Sequence, residues 1–153
     1  MEDAVMSELA YDKLEKRISE KLNGRIKEFR RTVAEISGNF RNLGLESAVW
    51  CPDKIHTANI GGIVADSYIG YSRIEGRWGL VVRTIEHDHE SRAFVNQRVI
   101  NIETCGNIEI VVNALRKVPE LMHCLEKAAE HQIEALAQTA NEFETLRKPD
   151  CEF

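Results

Sequence analysis

Long apolar runs and paired cysteines are both missing from this sequence. No stretch of the 153 residues approaches the roughly 20 apolar residues that a membrane-spanning helix needs, and the start, MEDAVMSELAYDK, is acidic rather than signal-like. The four cysteines, Cys51, Cys105, Cys124 and Cys151, are far apart and form no CxxC. Reduced thiols therefore fit them better than a disulfide framework. These absences predict a soluble cytoplasmic protein with no membrane segment.

Motifs of familiar enzyme classes are missing as well. The sequence contains no GxSxG, no HExxH and no glycine-rich phosphate loop, and the Gly61-Gly62 pair predicts only a turn. Cys105 lies near the start of a predicted helix, a position that can activate a thiol, whereas Cys51 and Cys124 are expected to be buried and inert. We expect a non-enzymatic protein that needs no cofactor. An enzyme that uses Cys105 ranks last among the alternatives.

The charge balance is acidic, with a formal net charge of −5 and an isoelectric point near 5.6. This balance argues against a protein whose whole surface binds polyanions. Any contact with nucleic acid must then come from a local basic patch. A chain of this length buries roughly two thirds of its unfolded surface, so hydrophobic burial can hold one domain without a disulfide or a metal.

A long amphipathic segment lies at each end of the chain. Residues 7–43 predict one helix, with Ser7 as the N-cap and Gly44 as the C-cap. Gly24 and Gly38 each cost up to about 1 kcal/mol relative to alanine, so a break at either is an alternative. Apolar residues recur in steps of four and three, as in a helix that buries one stripe: Leu22, Ile26, Phe29, Val33, Ile36, Phe40 and Leu43.

The C-terminal segment, residues 107–147, has the same periodicity but contains Pro119. Proline cannot donate the backbone hydrogen bond of a helix interior. The sequence therefore predicts a short helix, a kink, and a second helix that starts at Pro119 and reaches about Leu146. Residues 148–153 are expected to form a tail.

The middle of the chain, residues 46–103, is rich in β-branched and aromatic residues separated by turn signals. Its clearest feature is a hairpin that turns at Glu75-Gly76. The register that follows from this turn places five large side chains on one face: Ile69, Tyr71, Trp78, Leu80 and Val82. We expect Tyr71, Trp78 and Leu80 to be structural anchors.

Flanking strands are predicted at residues 46–51 and 94–102. The opposite face of the hairpin carries small residues that permit the close approach of another group: Gly70, Ser72 and Gly79. The predicted fold is one α+β domain over residues 1–153. It consists of a long N-terminal helix, a central antiparallel β-meander of three to four strands, and a C-terminal kinked helical pair.

One dense group of metal-ligand residue types, Glu86 to Glu90, includes His87 and His89. Imidazoles and carboxylates suit zinc and other divalent ions. The group is predicted to lie where a strand gives way to a loop, and alternate residues on a loop do not close a metal site alone. We expect no bound metal, with His87 and His89 as weak candidates, and an enzyme built on them also ranks last.

Two charge stripes flank the apolar stripes of the end helices. The basic stripe consists of Lys13, Arg17, Lys21 and Arg25, each just before an apolar residue. The acidic stripe consists of Glu126, Glu130 and Glu134, each just after an apolar residue. If the stripes face each other, within the chain or between copies, they help to align the helices. Alternatively, the basic stripe binds phosphates or an acidic partner.

The sequence favours a protein that binds another macromolecule. The first hypothesis is a non-enzymatic interaction protein that forms a homodimer through its long helices, because two stripes of this length exceed what a small sheet can cover. The alternative is a small regulator or inhibitor of a nucleic-acid-processing complex, of the kind that phages and mobile elements encode. It would use the basic stripe or an acidic face that imitates DNA. The expected partners are a second copy, a protein complex or nucleic acid, and no membrane.

Overall fold

A long helix, an antiparallel sheet and a second long helix follow one another along the chain. The computed structural model describes the backbone of residues 2–147 and the side chains of residues 7–147. Its elements are α1 (Glu2–Asn39), β1 (Val49–Trp50), β2 (His56–Ile60), β3 (Ile63–Ile74), β4 (Arg77–Asp88), β5 (Phe94–Asn101), a 3₁₀ helix (Ile102–Thr104) and α2 (Ile108–Arg147). The predicted α+β class is confirmed, and the predicted tail, residues 148–153, lies outside the described residues. No described helix is both long enough and apolar enough to cross a membrane.

The sheet is antiparallel throughout, with the strand order β1-β3-β4-β5. β2 pairs with the first half of β3, so β1 and β2 share one edge of that strand. The strand predicted at residues 94–102 is confirmed as β5, whereas the one predicted at 46–51 is reduced to the two residues of β1. The sequence does not predict β2, because HTANI lacks the alternating large apolar residues of a typical strand. The predicted turn after it is confirmed, since Gly61 and Gly62 have φ of 59° and 81°.

The central hairpin forms in the predicted register. Its turn residues, Glu75 and Gly76, have φ of 51° and 80°, the left-handed pair that a two-residue type I′ turn needs. The observed pairs include Arg73 with Trp78, Tyr71 with Leu80, and Ile69 with Val82. Tyr71 and Leu80 are at most 1% exposed, and Trp78 is half-buried.

Both helices pack on the same face of the sheet, which we call the covered face. Its hairpin residues and the two helices together form the hydrophobic core. The helices contribute Val33, Val111, Ala114, Leu121 and Leu125, and Phe40 adds to the core just after the end of α1. Fully burying a large aliphatic side chain contributes about 1.5 to 3 kcal/mol, so this layer supplies much of the stability. The opposite face, which we call the open face, contributes no residue to this core among the described residues.

α1 is one continuous helix. It begins at Glu2, so Ser7 lies inside it rather than at its N-cap, and it continues through Gly24. It ends at Asn39, and Gly44, the predicted C-cap, lies in the following loop with φ of 74°. The predicted ends are therefore wrong. The backbone N–H groups of the two residues after Asn39 donate to carbonyls of the last turn at 3.1 and 3.3 Å, and this closure needs no glycine.

α2 is also one continuous helix, and Pro119 lies inside it. The prediction that Pro119 starts a second helix is wrong. Proline in a helix interior costs about 3 kcal/mol, but buried residues anchor α2 to the covered face before and after it. These are Val111, Ala114, Leu121 and Leu125. Tertiary packing on both sides outweighs the local cost.

Candidate interaction surfaces

The first half of α1 extends away from the sheet. Every side chain of residues 7–25, the α1 arm, is exposed, and the first half-buried residue is Ile26. The apolar side chains of the arm are 52–68% exposed: Leu9, Tyr11, Leu14, Ile18 and Leu22. Most of them continue the stripe that is buried further along α1 at Val33 and, just after the helix ends, at Phe40. The arm therefore carries an apolar surface that no other described residue covers.

The end of α2 has the same character. All side chains of residues 133–147, the α2 arm, are exposed. Its large apolar side chains are 62–75% exposed: Ile133, Leu136, Phe143 and Leu146. Several large apolar side chains on one helix segment are typical of an interaction surface.

The two arms extend in opposite directions from the packed part of the protein, which consists of the sheet and the helix segments that cover it. Arg30 of α1 donates through Nη1 to the carbonyl oxygen of Cys105, just before α2 begins. After α1 ends, the backbone N–H of Glu46 donates to Oε1 of Gln132 at 3.4 Å. The two helices therefore run in the same general direction. The α1 arm precedes the first contact, and the α2 arm follows the second.

An apolar groove lies between the loop that follows α1 and the middle of α2. Its volume is about 760 Å³, within the range of ligand and peptide sites. The lining residues are Phe40, Leu43, Gly44, Leu45, Pro119, Met122, His123, Leu125, Glu126, Ala129, Gln132 and Ile133. Glu126 brings one end of the acidic stripe into this groove.

The two charge stripes are exposed and do not contact each other within the chain. All residues of both stripes lie in solvent, and among the described ion pairs none joins one stripe to the other. Arg25 pairs with Glu28 of its own helix at 3.4 Å. Such an exposed pair contributes little. Both stripes are therefore free to face another molecule.

The histidine segment belongs to β4 rather than to a loop. β4 continues to Asp88, so the predicted end of this strand is wrong, and alternation turns His87 toward the open face. There Nδ1 of His87 lies 4.0 Å from Oδ2 of Asp66. His89 follows the strand, and its backbone N–H donates to the carbonyl of Gly62 at 2.8 Å. No group of three or more potential metal ligands occurs among the described residues.

The described cysteines are free thiols, of which Cys51 and Cys105 are buried, whereas Cys124, expected to be buried, is half-buried. Cys105 is 3% exposed, and its Sγ lies 3.8 Å from the carbonyl oxygen of Asn107. Cys51 is 1% exposed and donates to Oε2 of Glu120 at 3.6 Å. Burial raises the pKa of the Cys51 thiol, which disfavours the reactive thiolate. Their burial limits the approach of a substrate to either thiol.

Trp50 and Gly70 form a close contact on the open face. Trp50 pairs with Gly70 across β1 and β3, and its ring lies so near the glycine that a Cβ at position 70 would overlap it. The small residues predicted on this face do permit a close approach at Gly70, where an indole ring occupies the space. Gly79, by contrast, has nothing within 4 Å of an added Cβ.

Arg83 lies over the same indole. Its guanidinium carbon is 4.2 Å from the centroid of the Trp50 ring and 5.6 Å from that of Tyr68, both within the range of cation–π contacts. Nε of Arg83 is buried and has no hydrogen-bond partner among the described residues. The ammonium of Lys54 and the imidazole of His87 lie near Asp66, but no described ion pair includes Arg83. Among the described residues, the open face thus holds a cation that an aromatic ring fixes and that makes no ion pair.

A shallow hollow adjoins Arg83 on the open face. It is lined by Asp66, Tyr68, Ile85, His87, Arg92 and Phe94. Phe94 is 66% exposed, and Asp66 accepts a hydrogen bond of 2.8 Å from Oγ1 of Thr57. The rings of Tyr68 and Phe94 and the buried carboxylate of Asp66 therefore lie together in a hollow next to Arg83.

Sequence reasoning identifies the charge stripes and the apolar stripes but misses Trp50 and Arg83 as a pair. The sequence predicts a strand at Trp50, yet it gives no register for that strand against β3. The only available signal is the run of small residues around Gly70.

In a comparison with known proteins, no protein-family model matches this chain, and no curated protein and no solved structure matches it.

Proposed function

We propose that this protein is a non-enzymatic interaction protein that forms a homodimer through the arms of its two long helices. The observation that carries the proposal is the α1 arm, in which Leu14, Ile18 and Leu22 are 52–57% exposed. In proteins, most of the stability of a helix comes from the packing of its amphipathic face rather than from intrinsic propensity. A helical arm with a bare apolar stripe is best explained by a partner that covers the stripe.

The partner surface with the best complementarity is α2 of a second copy. In α2, the acidic stripe repeats at every fourth residue beside the apolar groove, and in the α1 arm the basic stripe repeats at the same interval beside Leu14, Ile18 and Leu22. Four residues of a helix rise about 6 Å, so charges of opposite sign can match along both helices. Flanking charges of this kind align helices in coiled coils.

The lengths are also compatible. The α1 arm spans about 28 Å, and the part of α2 between Pro119 and Ile133 that lines the groove spans about 21 Å, at 1.5 Å per residue. A twofold axis would let each copy place its α1 arm in the groove of the other. This arrangement would cover Met122 and Ile133, which are 55% and 65% exposed.

The test compares two double variants by analytical ultracentrifugation over a wide range of protein concentration. Leu14→Ser with Ile18→Ser removes the apolar stripe, and we expect it to convert a dimer into a monomer. Lys16→Ser with Glu20→Ser is the matched control, because these exposed residues lie on the opposite side of the same helix and their charges cancel. The control should remain dimeric.

Zero-length carbodiimide cross-linking then tests the arrangement. In dimers mixed from isotopically light and heavy chains, Lys13 and Lys21 should cross-link to Glu126, Glu130 or Glu134 of the other chain. A parent protein that stays monomeric at every concentration would contradict the proposal. So would a dimer that survives the loss of Leu14 and Ile18.

A further inference from the structure

Arg83 is held in place by an aromatic ring and makes no ion pair among the described residues. Its guanidinium lies 4.2 Å from the centroid of Trp50, and Trp50 lies on Gly70. Nε is buried and has no acceptor among the described residues. The Nη atoms also lack a described acceptor, but they are not buried and can reach an external group. A guanidinium presents its N–H donors in a rigid fork that matches the oxygens of a phosphate or a carboxylate.

The surroundings of Arg83 distinguish between these oxyanions. Ile85 follows two residues later on the same face, about 7 Å along β4, and leads into the hollow that Tyr68 and Phe94 line. Aromatic rings on a sheet face are the surfaces on which bases stack in sheet-type RNA-binding domains. Asp66 at the hollow can accept an N–H of a base, a hydrogen bond that the carboxylate side chains of an acidic peptide cannot donate.

We propose that the open face binds a nucleotide unit, with its phosphate on the guanidinium of Arg83 and its base beside Tyr68 in the adjoining hollow. The ligand is a free nucleotide or one nucleotide of a single strand. A duplex does not fit, because its bases are stacked and paired and cannot enter the hollow. The site lies on the opposite side of the sheet from the helices, so it does not depend on the proposed dimer.

The chain provides its own internal control, because it has two tryptophans on opposite faces of the sheet. Trp50 lies under Arg83, and Trp78 stacks on Tyr71 of the covered face. In protein with ¹⁵N-labelled indoles, titration with ribonucleoside monophosphates should move the indole signal of Trp50 saturably and leave that of Trp78 in place. A single-stranded RNA should do the same. Tighter binding of the strand than of the monophosphates would identify the strand as the source.

The variant Arg83→Gln tests the phosphate contact. We expect its affinity for the bound probe to fall by about tenfold or more, since it loses charged hydrogen bonds. Arg83→Lys keeps the charge but loses the fork, and it should be intermediate. Arg73→Gln, at an exposed position of the same hairpin on the covered face, removes the same charge and should change affinity by less than about twofold, because salt screens distant exposed charges.

Several outcomes would overturn the proposal. One is that the Trp50 signal moves with none of these probes, and another is that both indole signals move together. Equal losses of affinity in Arg83→Gln and Arg73→Gln would show that binding depends only on the net charge of the protein. Duplex RNA that binds as tightly as the single strand, or an acidic peptide that moves Trp50 at lower concentration than the nucleotides, would assign the face to another ligand. The indole comparison uses the parent protein, so it holds even if Arg83→Gln does not fold.

Discussion

The indole of Trp50 lies against the backbone of Gly70 and leaves no space for a side chain there. β1 consists of only two residues, so few backbone hydrogen bonds hold it on β3. The contact between the indole and the glycine therefore helps to keep this edge strand in register. The same ring supports Arg83, which joins the stability of the sheet edge to the proposed nucleotide site.

Gly70→Ala should destabilise the protein by about 1 to 3 kcal/mol, because an added methyl group overpacks the contact with the rigid indole. Gly79→Ala is the matched control. It lies on the same face, and an added Cβ there meets nothing within 4 Å. The free energy of unfolding in urea measures both. In a Trp50→Ala background the cost of Gly70→Ala should nearly vanish, and an unchanged cost in that double-mutant cycle would show that the two residues are not coupled.

Trp78→Ala should lower the free energy of unfolding by about 2 to 4 kcal/mol, less than for a fully buried tryptophan. The ring is half-buried and stacks on Tyr71, with centroids 5.2 Å apart and planes at 18°. Trp78→Phe preserves much of the stacking and should cost less than about 1.5 kcal/mol. Chemical denaturation checks both values, and a loss below about 1 kcal/mol in Trp78→Ala would remove Trp78 from the structural anchors.

Reversing the basic stripe to glutamate should weaken the proposed dimer, in which positions 13, 17, 21 and 25 would then face like charges. Added salt should partly restore association, since exposed charges are screened beyond about 8 to 10 Å at physiological ionic strength. Reversing Glu126, Glu130 and Glu134 to lysine in the same chain should restore it more fully. Sedimentation at low and high salt measures these changes.

A different result would point to the other interpretation of the basic stripe. If the reversed variant assembles normally but loses a salt-sensitive binding to DNA or RNA that the parent shows, the stripe binds a polyanion. A variant that is normal in both respects would make the stripe a solvated surface.

Tyr71 should make stability decline at alkaline pH. Its hydroxyl donates to the carbonyl of Leu45 at 3.3 Å, and burial raises its pKa above the ordinary value of 10.0. Because the folded pKa is the higher one, this stabilisation is complete below the unfolded pKa and is lost as the pH rises through the folded pKa. The stability difference between the parent and Tyr71→Phe should therefore shrink above about pH 10. Urea unfolding at several alkaline pH values measures it, and a constant difference would contradict the assignment.

Sequence patterns correctly predicted the elements that neighbouring residues determine, such as the central hairpin. The hairpin around Glu75-Gly76 combines alternation with a turn that only a few residues permit, and its register is confirmed. Pro119 misled the prediction because its cost is local, whereas the packing of Val111 and Leu121 on either side of it is not visible along the sequence.

The candidate surfaces follow the same division. The apolar stripe of α1 is visible in the sequence, but which half of it is buried depends on how far the sheet extends along the helix. The pairing of Trp50 with Gly70 joins residues that lie far apart in the chain, and no short-range pattern sets that register. The position of Arg83 over Trp50 follows from it and was equally hidden.

If the proposed dimer forms, the exposed α1 arm makes the rate of proteolysis of this protein depend on its concentration. A helix segment with no packing inside its own chain is folded to the extent that another molecule covers it. In the proposed dimer, association at high concentration would hide the lysines and arginines of the arm, and at low concentration the arm would fray and offer them to trypsin-like proteases. Proteolysis would then remove mainly the copies that have no partner, so the amount of intact protein would rise more steeply than its rate of synthesis.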